Sequence, residues 1–340
     1  MKTLTFLSSL SLLAIAIPAQ ATIHTVHNDP LYNAQYSSVD AAISAASPFD
    51  TLLIHGSGVS YGNITLNKSL TLIGPGHDPA LNERASLNFL TIASGSDSSV
   101  VEGLNLGGTT CNSYGVRFDR NRFTSYLSLY STADSVTVRG NVFMGSYVNV
   151  DPGAENVLVS NNYFSEASTG RQFYDGSATT LVLNNVFVRS STSTSSGNLV
   201  FDATSSFTVF ANNVFITATV DSFNPDDCPN FSFQNNLSHS DAGTLVGMGP
   251  NNLDNTAPTW DLGGDYPEFS YDHDYTMLSG TPATGASDGG QVGVMGGTYP
   301  FLNSGLPSLI PRVVGTQLET PYVPVGGSID VNFQAEQGQP

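Results

Sequence analysis

The sequence predicts an all-β chain folded as a right-handed parallel β-helix, a solenoid in which short strands stack in successive coils. Three observations support this prediction. A phrase of asparagine, an apolar residue and an aromatic residue recurs about every 22 residues. Alternating β-type segments precede most copies, with no helical pattern between them. Only 11% of residues are charged, while asparagine, serine, threonine and glycine are abundant, which is typical of short strands joined by tight turns.

The repeated phrase predicts two ladders that run along the solenoid. Coils must stack about 4.8 Å apart to bury their apolar faces. The asparagines are expected to bond to one another through their amides and to take the left-handed conformation at a sharp corner. The aromatic residues should point inward and stack. The sequence lacks the leucine framework that leucine-rich repeats require. A β-propeller blade needs about 40–50 residues, about twice the period seen here. The asparagines are Asn121, Asn141, Asn162, Asn185, Asn213 and Asn236, spaced by 20, 21, 23, 28 and 23 residues, and the aromatic residues are Phe123, Phe143, Phe164, Phe187 and Phe215.

The remaining elements complete a solenoid. Residues 37–46 predict a short amphipathic helix with a serine N-cap, suited to covering the open N-terminal end. A first strand follows at residues 50–54, and roughly nine coils fit between Asp50 and Gly247. Two alternating segments between Gly315 and Ala335 predict a C-terminal β tail. The predicted division is a β-helix with its caps over residues 22–300 and an extension over residues 301–340.

The first 21 residues predict a signal peptide. Lys2 begins a short basic region, an apolar run covers residues 4–18, and Ala19-Gln20-Ala21 has the small-x-small pattern of a cleavage site. The run is too short to cross a bilayer, and no later stretch approaches about 20 continuous apolar residues. The sequence therefore predicts a secreted or cell-surface protein without a membrane span.

The charge balance restricts the partners. Twenty-eight acidic residues against ten basic ones give a net charge of −18. Such a surface repels nucleic acid, anionic lipid and, more mildly, acidic polysaccharides. It suits neutral glycans, divalent cations such as calcium, or simple solubility.

The two cysteines are expected to remain separate. In an exported protein a disulfide is the default expectation. However, Cys111 and Cys228 are about five coils apart, roughly 25 Å along the axis, whereas a disulfide needs Cα atoms within about 7 Å.

Two segments resemble a known superfamily. The stretch AAISAASPFDTLLIHGSGVSYGNITLNKSLTLIGPG at residues 41–76 resembles the opening coils of the pectin-lyase-like β-helix superfamily. The stretch YTMLSGTPATGASDGGQVGVMGG at residues 275–297 is similar to the closing segment of secreted bacterial members, and the tail resembles extensions found in Bacteroidetes-like bacteria. The resemblance implies the fold. It leaves the chemistry open, because the superfamily contains lyases, hydrolases, epimerases and adhesins.

A basic patch is the candidate catalytic site. In uronate lyases of this fold, a lysine or arginine abstracts a proton beside a carboxylate that cations neutralise. Arg120, Arg122 and Arg139 fall in two successive coils and are expected to form one surface cluster. The alternative is structural pairing with nearby acids such as Asp119.

Carboxylates offer candidate metal ligands. Asp226 and Asp227 form a doublet, and Asp261 and Asp265 lie among aromatic residues, so calcium is a candidate cofactor. The set of sequence signatures that polygalacturonases of the superfamily share is absent. The alternative for the Asp226-Asp227 doublet is a solvated turn.

Aromatic residues after the last repeat are candidates for carbohydrate binding. Trp260, Tyr266 and Tyr271 cluster near Tyr275 and could stack on sugar rings. The alternative is a cap packed over the final coil.

Two classes of function remain open from the sequence. The first is a non-catalytic secreted or cell-surface β-helix that binds extracellular polysaccharide or surface glycans, or serves a structural or adhesive role. The second is a polysaccharide lyase or glycoside hydrolase acting on an extracellular polysaccharide.

Overall fold

A computed structural model describes residues 21–81, 83–165, 171–190, 200–202, 207–228, 230–262, 267–299, 301–308, 312–318 and 331–336. The predicted signal peptide, apart from residue 21, lies outside these ranges.

The regular secondary structure of the described chain consists almost entirely of short strands. The helix is α1, Val39–Ala45, and three 3-10 turns cover Val220–Ser222, Pro225–Asp227 and Thr281–Ala283. The strands are β1 Ile23–Val26, β2 Thr51–Ile54, β3 Asn63–Leu66, β4 Thr71–Ile73, β5 Ser86–Ile92, β6 Val100–Glu102, β7 Asn105–Cys111, β8 Arg117–Asp119, β9 Arg122–Phe123, β10 Tyr126–Leu129, β11 Thr137–Arg139, β12 Val142–Met144, β13 Tyr147–Val150, β14 Leu158–Ser160, β15 Tyr163–Ser165, β16 Phe173–Asp175, β17 Leu181–Leu183, β18 Val186–Arg189, β19 Phe201–Asp202, β20 Val209–Ala211, β21 Val214–Thr217, β22 Ser232–Gln234, β23 Leu237–His239, β24 Arg312–Leu318 and β25 Val331–Glu336.

The strands build a right-handed parallel β-helix with three faces, as the sequence predicts. Face 1 is the sheet β1-β2-β4-β6-β8-β11-β14-β17-β20-β22. Face 2 contains β9, β12, β15, β18, β21 and β23, and face 3 contains β3, β10, β13, β16 and β19. The long strands β5 and β7 belong to both, since the start of β7 pairs with β9 and its end pairs with β10. The nine face 1 strands from β2 to β22 enclose about eight complete turns, in agreement with the coil number expected from the repeat.

The N-terminal end begins earlier than the sequence pattern indicated. Strand β1 pairs in parallel with β2, so the first face 1 strand comes before helix α1. The Ser38 hydroxyl accepts a hydrogen bond from the Ala41 N–H at 3.2 Å and caps the helix. Val39 and Ile43 pack into the core that fills the coils, so the helix covers apolar surface at this end.

The repeated asparagines lie above one another at the corner between faces 1 and 2. Each side-chain oxygen accepts from both the backbone N–H and the amide of the asparagine one coil earlier. For the pair Asn141 and Asn162 both distances are 2.9 Å. The amide of Asn162 also donates to the Val138 carbonyl at 2.8 Å. The ladder therefore satisfies backbone groups that the corner buries. It runs through Asn121, Asn141, Asn162, Asn185, Asn213, Asn236 and Asn252.

The expectation that these asparagines themselves take the left-handed conformation is wrong. The residue immediately before each one does so instead, because the ladder asparagine must aim its own N–H at the next amide oxygen. Glycine and asparagine predominate at these positions because they tolerate positive φ best. The residues are Arg120 (φ 56°), Gly140 (63°), Asn161 (53°), Asn184 (56°), Asn212 (60°) and Asn235 (56°).

A stack of phenylalanine rings fills the interior beside the ladder. Consecutive ring centroids along Phe123, Phe143, Phe164, Phe187 and Phe215 are 4.7, 4.4, 4.5 and 5.2 Å apart, with the planes within 20° of parallel. All five rings are buried. The in-register coil spacing imposes this near-parallel arrangement.

A second apolar core lies outside the coils. The middle residue of the repeated phrase points outward on face 2, and in most copies it is apolar. Val142, Tyr163, Val186 and Val214 are nevertheless buried, because the described residues between Leu253 and Phe301, which we call the covering segment, pack on them. Trp260, Tyr271 and Tyr275, for which a cap over the final coil was the alternative prediction, belong to this covering segment and lie along the flank of the solenoid. The packing is favourable because it removes a row of outward apolar side chains from water.

We call residues 285–299 and 301–308 the strap, because they run back along the asparagine corner toward the N-terminal coils. Four hydrogen bonds hold the strap to the coils. Asn235 Nδ2 donates to the Gly285 carbonyl (3.0 Å), and Asn161 Nδ2 donates to the Val294 carbonyl (2.9 Å). The His77 N–H donates to the Ser304 carbonyl (2.9 Å), and the Ser308 N–H donates to Glu102 Oε1 (2.7 Å). Strands β24 and β25 follow the strap as an antiparallel pair, in the region where the β tail was predicted.

His77 makes stability depend on pH where the strap meets the N-terminal coils. Its imidazole is fully buried, and burial, with smaller contributions from Arg122 and Arg84, lowers its pKa from 6.5 to about 3. Below pH 6.5 the unfolded chain binds a proton at this histidine and the folded chain does not. We therefore expect the free energy of unfolding to fall by about 1.4 kcal/mol per pH unit between roughly pH 5.5 and 4, from this residue alone.

Urea unfolding at pH 7.5, 5.5 and 4.5 of the wild-type chain and of His77→Gln measures this contribution. The variant should show a shallower dependence on pH, whatever its stability at pH 7.5. Equal slopes for the two chains would contradict the assignment.

Candidate functional site

The outward positions of face 3 carry no charged side chain from β3 to β16. Alternate residues of its strands face outward, and from β3 to β16 each of these side chains is a hydroxyl, an amide, an aromatic ring or glycine. We call this surface the uncharged face. Its outward residues are Asn63, Thr65, Phe89, Thr91, Gly108, Thr110, Tyr126, Ser128, Tyr147, Asn149 and Tyr174. In a chain of net charge −18, this is an extended neutral area.

Aromatic rings form one column of the uncharged face. The rings of Tyr126 and Tyr147 are stacked at 5.8 Å, and Tyr174 lies diagonally next to them, 4.8 Å from Tyr147 and tilted by 59°. Phe89 is two coils from Tyr126, yet their centroids are 6.2 Å apart. Gly108 allows this approach, since a Cβ there would meet the Phe89 ring at 2.9 Å and the Tyr126 ring at 3.2 Å. The rings therefore close over the strand between them.

Tyr126 and Tyr147 are half-buried, so part of each side chain is accessible to solvent. Burial, and next the neighbouring Tyr174 and Tyr126, raise the pKa of Tyr147, so its hydroxyl remains protonated at neutral pH. A protonated phenol both donates and accepts hydrogen bonds. A second column of Thr65, Thr91, Thr110, Ser128 and Asn149 runs beside the rings at about 4.8 Å per coil. The aromatic column offers apolar C–H surface, and the second column offers regularly spaced polar groups. A sugar polymer has both apolar C–H faces and hydroxyl groups, so the two columns together are suited to bind one.

This surface was not predicted from the sequence. Tyr126 and Tyr147 are 21 residues apart, the same spacing as the ladder residues Asn141 and Asn162. This shared spacing was the sequence signal that could have indicated the aromatic column. It was hidden because Tyr174 lies in the neighbouring column and Gly108 interrupts the first one.

The arginines do not form the single surface cluster that was predicted. Arg120 is fully buried under the strap, where its Nη1 donates to the Leu306 carbonyl at 3.2 Å and its guanidinium lies 5.3 Å from the Tyr299 ring. Arg139 makes a bidentate pair with Asp119 at 2.8 and 3.1 Å. Arg120 occupies the corner position that the strap covers, which explains why it is not on an open surface.

Arg122 lies on another face from Arg139. Its Nη1 donates to Asn105 Oδ1 at 2.9 Å on face 2. Burial and the nearby Arg84 lower the pKa of Arg122, and Tyr271 opposes this by hydrogen bonding to it. Arg120 and Arg139 thus meet at the Tyr299 ring, at 5.3 and 4.3 Å from its centroid, while Arg122 lies apart from them on face 2.

The candidate metal ligands do not converge within the described residues. No group of three or more His, Cys, Asp or Glu side chains in those ranges is arranged to hold a metal ion. Asp226 is exposed in the 3-10 turn Pro225–Asp227, and the position of the Asp227 side chain is not described. Asp261 forms an antiparallel bridge with Asp274, and Asp265 lies outside the described residues.

The aromatic candidates after the last repeat have different surroundings. Tyr271 donates to the His77 carbonyl at 2.9 Å and accepts from Arg84 Nη2 at 3.2 Å, so it joins the C-terminal segment to the early coils. Tyr275 is buried, and Trp260 packs against it with centroids 5.6 Å apart. Trp260 also lines a cleft. Tyr266 lies outside the described residues.

Cys111 and Cys228 are separate buried thiols. Burial raises the pKa of Cys111 to about 12, so this thiol is not a nucleophile at neutral pH.

No helix within the described ranges is both long and apolar enough to cross a membrane.

Comparison with known proteins gives distant structural likenesses only. No family model and no curated protein matches the chain. Among solved structures, pectate lyase Pel9A is 12% identical with a TM-score of 0.40, covering 79% of this chain and 92% of that chain. A pectin methylesterase from Aspergillus niger is 12% identical with a TM-score of 0.36, covering 71% and 91%. A PL6 family alginate lyase, AlyGC, is 14% identical with a TM-score of 0.25, covering 77% and 58%. The parallel topology described above agrees with the fold that the sequence resemblance implies.

Proposed function

We propose that the chain is a secreted or cell-surface β-helix protein that binds a neutral polysaccharide along its uncharged face, without turnover. The observation that carries the proposal is the absence of charged side chains among the outward residues of face 3 from β3 to β16. An acidic protein that keeps one flat face neutral, aromatic and hydroxyl-rich has a surface suited to a neutral polymer with many hydroxyls.

The charge distribution supports a neutral ligand. The net charge of −18 repels a polyanion before contact, whereas a neutral glycan meets no such barrier. The two columns run parallel to the solenoid axis, which favours a polymer lying along that axis and meeting equivalent groups about every 4.8 Å.

Binding without turnover is favoured by the arginine positions. An arginine that serves a lyase must reach the substrate, and Arg120 is buried while Arg139 is held by Asp119. Lyase or hydrolase activity remains the competing function, and the same experiment tests it.

Replacing both Tyr126 and Tyr147 by alanine should weaken binding of the recognised neutral polysaccharide about 30-fold, or about 2 kcal/mol. This estimate combines two lost aromatic contacts with two lost hydroxyls. Affinity electrophoresis against a panel of neutral and uronate polysaccharides, with and without calcium, identifies the ligand and measures the loss. Release of reducing ends or unsaturated products is recorded in parallel.

Tyr114→Ala is the matched control, because Tyr114 is 53% exposed in a turn away from these columns. It should bind like the wild-type chain. The proposal is wrong if no neutral polysaccharide binds, if the double variant binds normally while folded, or if the purified chain releases products.

A further inference from the structure

A cleft on the flank of the solenoid forms a second candidate site. It lies where the covering segment crosses the last strands of face 2, and its volume is about 230 Å³. Ile216 of β21 and His239 of β23 are register neighbours on its floor. The residues that line it are Ile216, His239, Asp241, Ala257, Pro258, Trp260, Leu262 and Pro267.

The cleft has apolar walls and one polar side. Six of its eight lining residues are aliphatic, proline or tryptophan, and the other two are His239 and Asp241. His239 Nε2 lies 2.9 Å from Asp241 Oδ1. The Asp241 side chain is 78% exposed, and its second carboxylate oxygen has no hydrogen-bond partner among the described residues. That oxygen is therefore available to accept hydrogen bonds from a ligand.

We propose that this cleft binds a single pyranose unit, with one face of the sugar on the Trp260 wall and its hydroxyls on Asp241 and His239. A pyranose ring combines an apolar C–H face with a polar hydroxyl edge, which matches the two sides of the cleft. A carboxylate accepts two hydroxyl hydrogen bonds at once. The volume lies below the range of about 300–1,000 Å³ for pockets that hold drug-sized ligands, so it suits one ring rather than several.

The cleft does not depend on the proposed glycan surface. It is lined by face 2 and the covering segment, whereas the uncharged face belongs to face 3. The two sites share no residue, so each can fail while the other stands.

Trp260 allows a specific test because it is the only tryptophan in the chain. Fluorescence excited at wavelengths that tyrosine does not absorb thus reports on this wall of the cleft. Titration of the purified chain with methyl glycosides of glucose, galactose and mannose should give a saturable change in emission for at least one of them. Sorbitol, an acyclic polyol with no ring face, should give none.

Asp241→Ala should weaken the response about tenfold, because a charged acceptor is lost. Asp40→Ala is the matched control, an exposed aspartate on the N-terminal helix, and its titration should follow that of the wild-type chain. The Tyr126→Ala, Tyr147→Ala double variant should also respond normally, which separates this site from the polysaccharide surface. Thermal unfolding checks that each variant is folded.

Three outcomes would overturn the proposal. These are the absence of a saturable response to any methyl glycoside, an equal response to sorbitol, and an unchanged response in folded Asp241→Ala. Saturation-transfer NMR on the wild-type chain and on Trp260→Phe gives a readout that does not require fluorescence. Phenylalanine retains an apolar ring and removes an indole N–H that has no hydrogen-bond partner among the described residues, so this variant is expected to fold. Transfer to the sugar ring protons should persist in a weakened form, and its absence from both chains would also overturn the proposal.

Discussion

Replacement of Asn162 by alanine is expected to lower the free energy of unfolding by about 3–5 kcal/mol. The side chain accepts from the N–H and the amide of Asn141 and donates to the Val138 carbonyl and to Asn185 Oδ1, all within 3.0 Å. Alanine leaves the Asn141 N–H without its partner in a fully buried corner. Each buried polar group left unsatisfied costs about 1–3 kcal/mol, and several are affected here.

Denaturant unfolding followed by circular dichroism measures this loss. Asn63→Ala is the control, because Asn63 is an exposed strand asparagine outside the ladder, and its change should remain within about 0.5 kcal/mol. A cost below about 1 kcal/mol for Asn162→Ala would show that the ladder contributes little to stability.

Replacement of Phe164 by alanine is expected to cost about 3–5 kcal/mol as well, for a different reason. The ring is fully buried between Phe143 and Phe187, at 4.4 and 4.5 Å with planes within 9° of parallel. Alanine removes the buried apolar surface and leaves a cavity in a continuous stack that cannot collapse easily. Two ring contacts, each worth about 0.5–1.5 kcal/mol, are lost at the same time.

The same unfolding experiment tests this second prediction. Phe164→Leu keeps most of the apolar volume and should cost clearly less than the alanine variant. Phe49→Ala removes a ring that is 67% exposed and should have little effect. Equal costs for the leucine and alanine variants at position 164 would mean that cavity formation is not the main effect.

The sequence predicted the solenoid from two positions in each repeat. The ladder asparagines and the stacked phenylalanines point into the coil or its corner, where only the neighbouring coils contact them. Their environment therefore repeats with the chain, and periodicity alone reveals it. The left-handed corner was assigned one residue too late, because the phrase shows which side chain is special and not which backbone bends.

The candidate sites were much harder to predict, because they depend on outward positions. Tyr126 and Tyr147 become neighbours through register, and Gly108 allows Phe89 to join them. None of these residues belongs to the repeated phrase. Arg120 illustrates the opposite error, since a basic residue in a repeat suggested an open surface and the strap buries it.

The amino-acid sequence by itself determined the class of fold, the approximate number of coils and the residues that stack inside them. These features depend on local pattern and on contacts between one coil and the next. Only the tertiary structure decided which outward surfaces remain open. The middle residues of the repeated phrase are covered by a segment far away along the chain, as in the hydrogen bond from the Tyr163 hydroxyl to the Pro267 carbonyl, 104 residues apart. Such long-range packing leaves no period in the sequence, so the neutral face and the Trp260 cleft emerge only when the chain is folded.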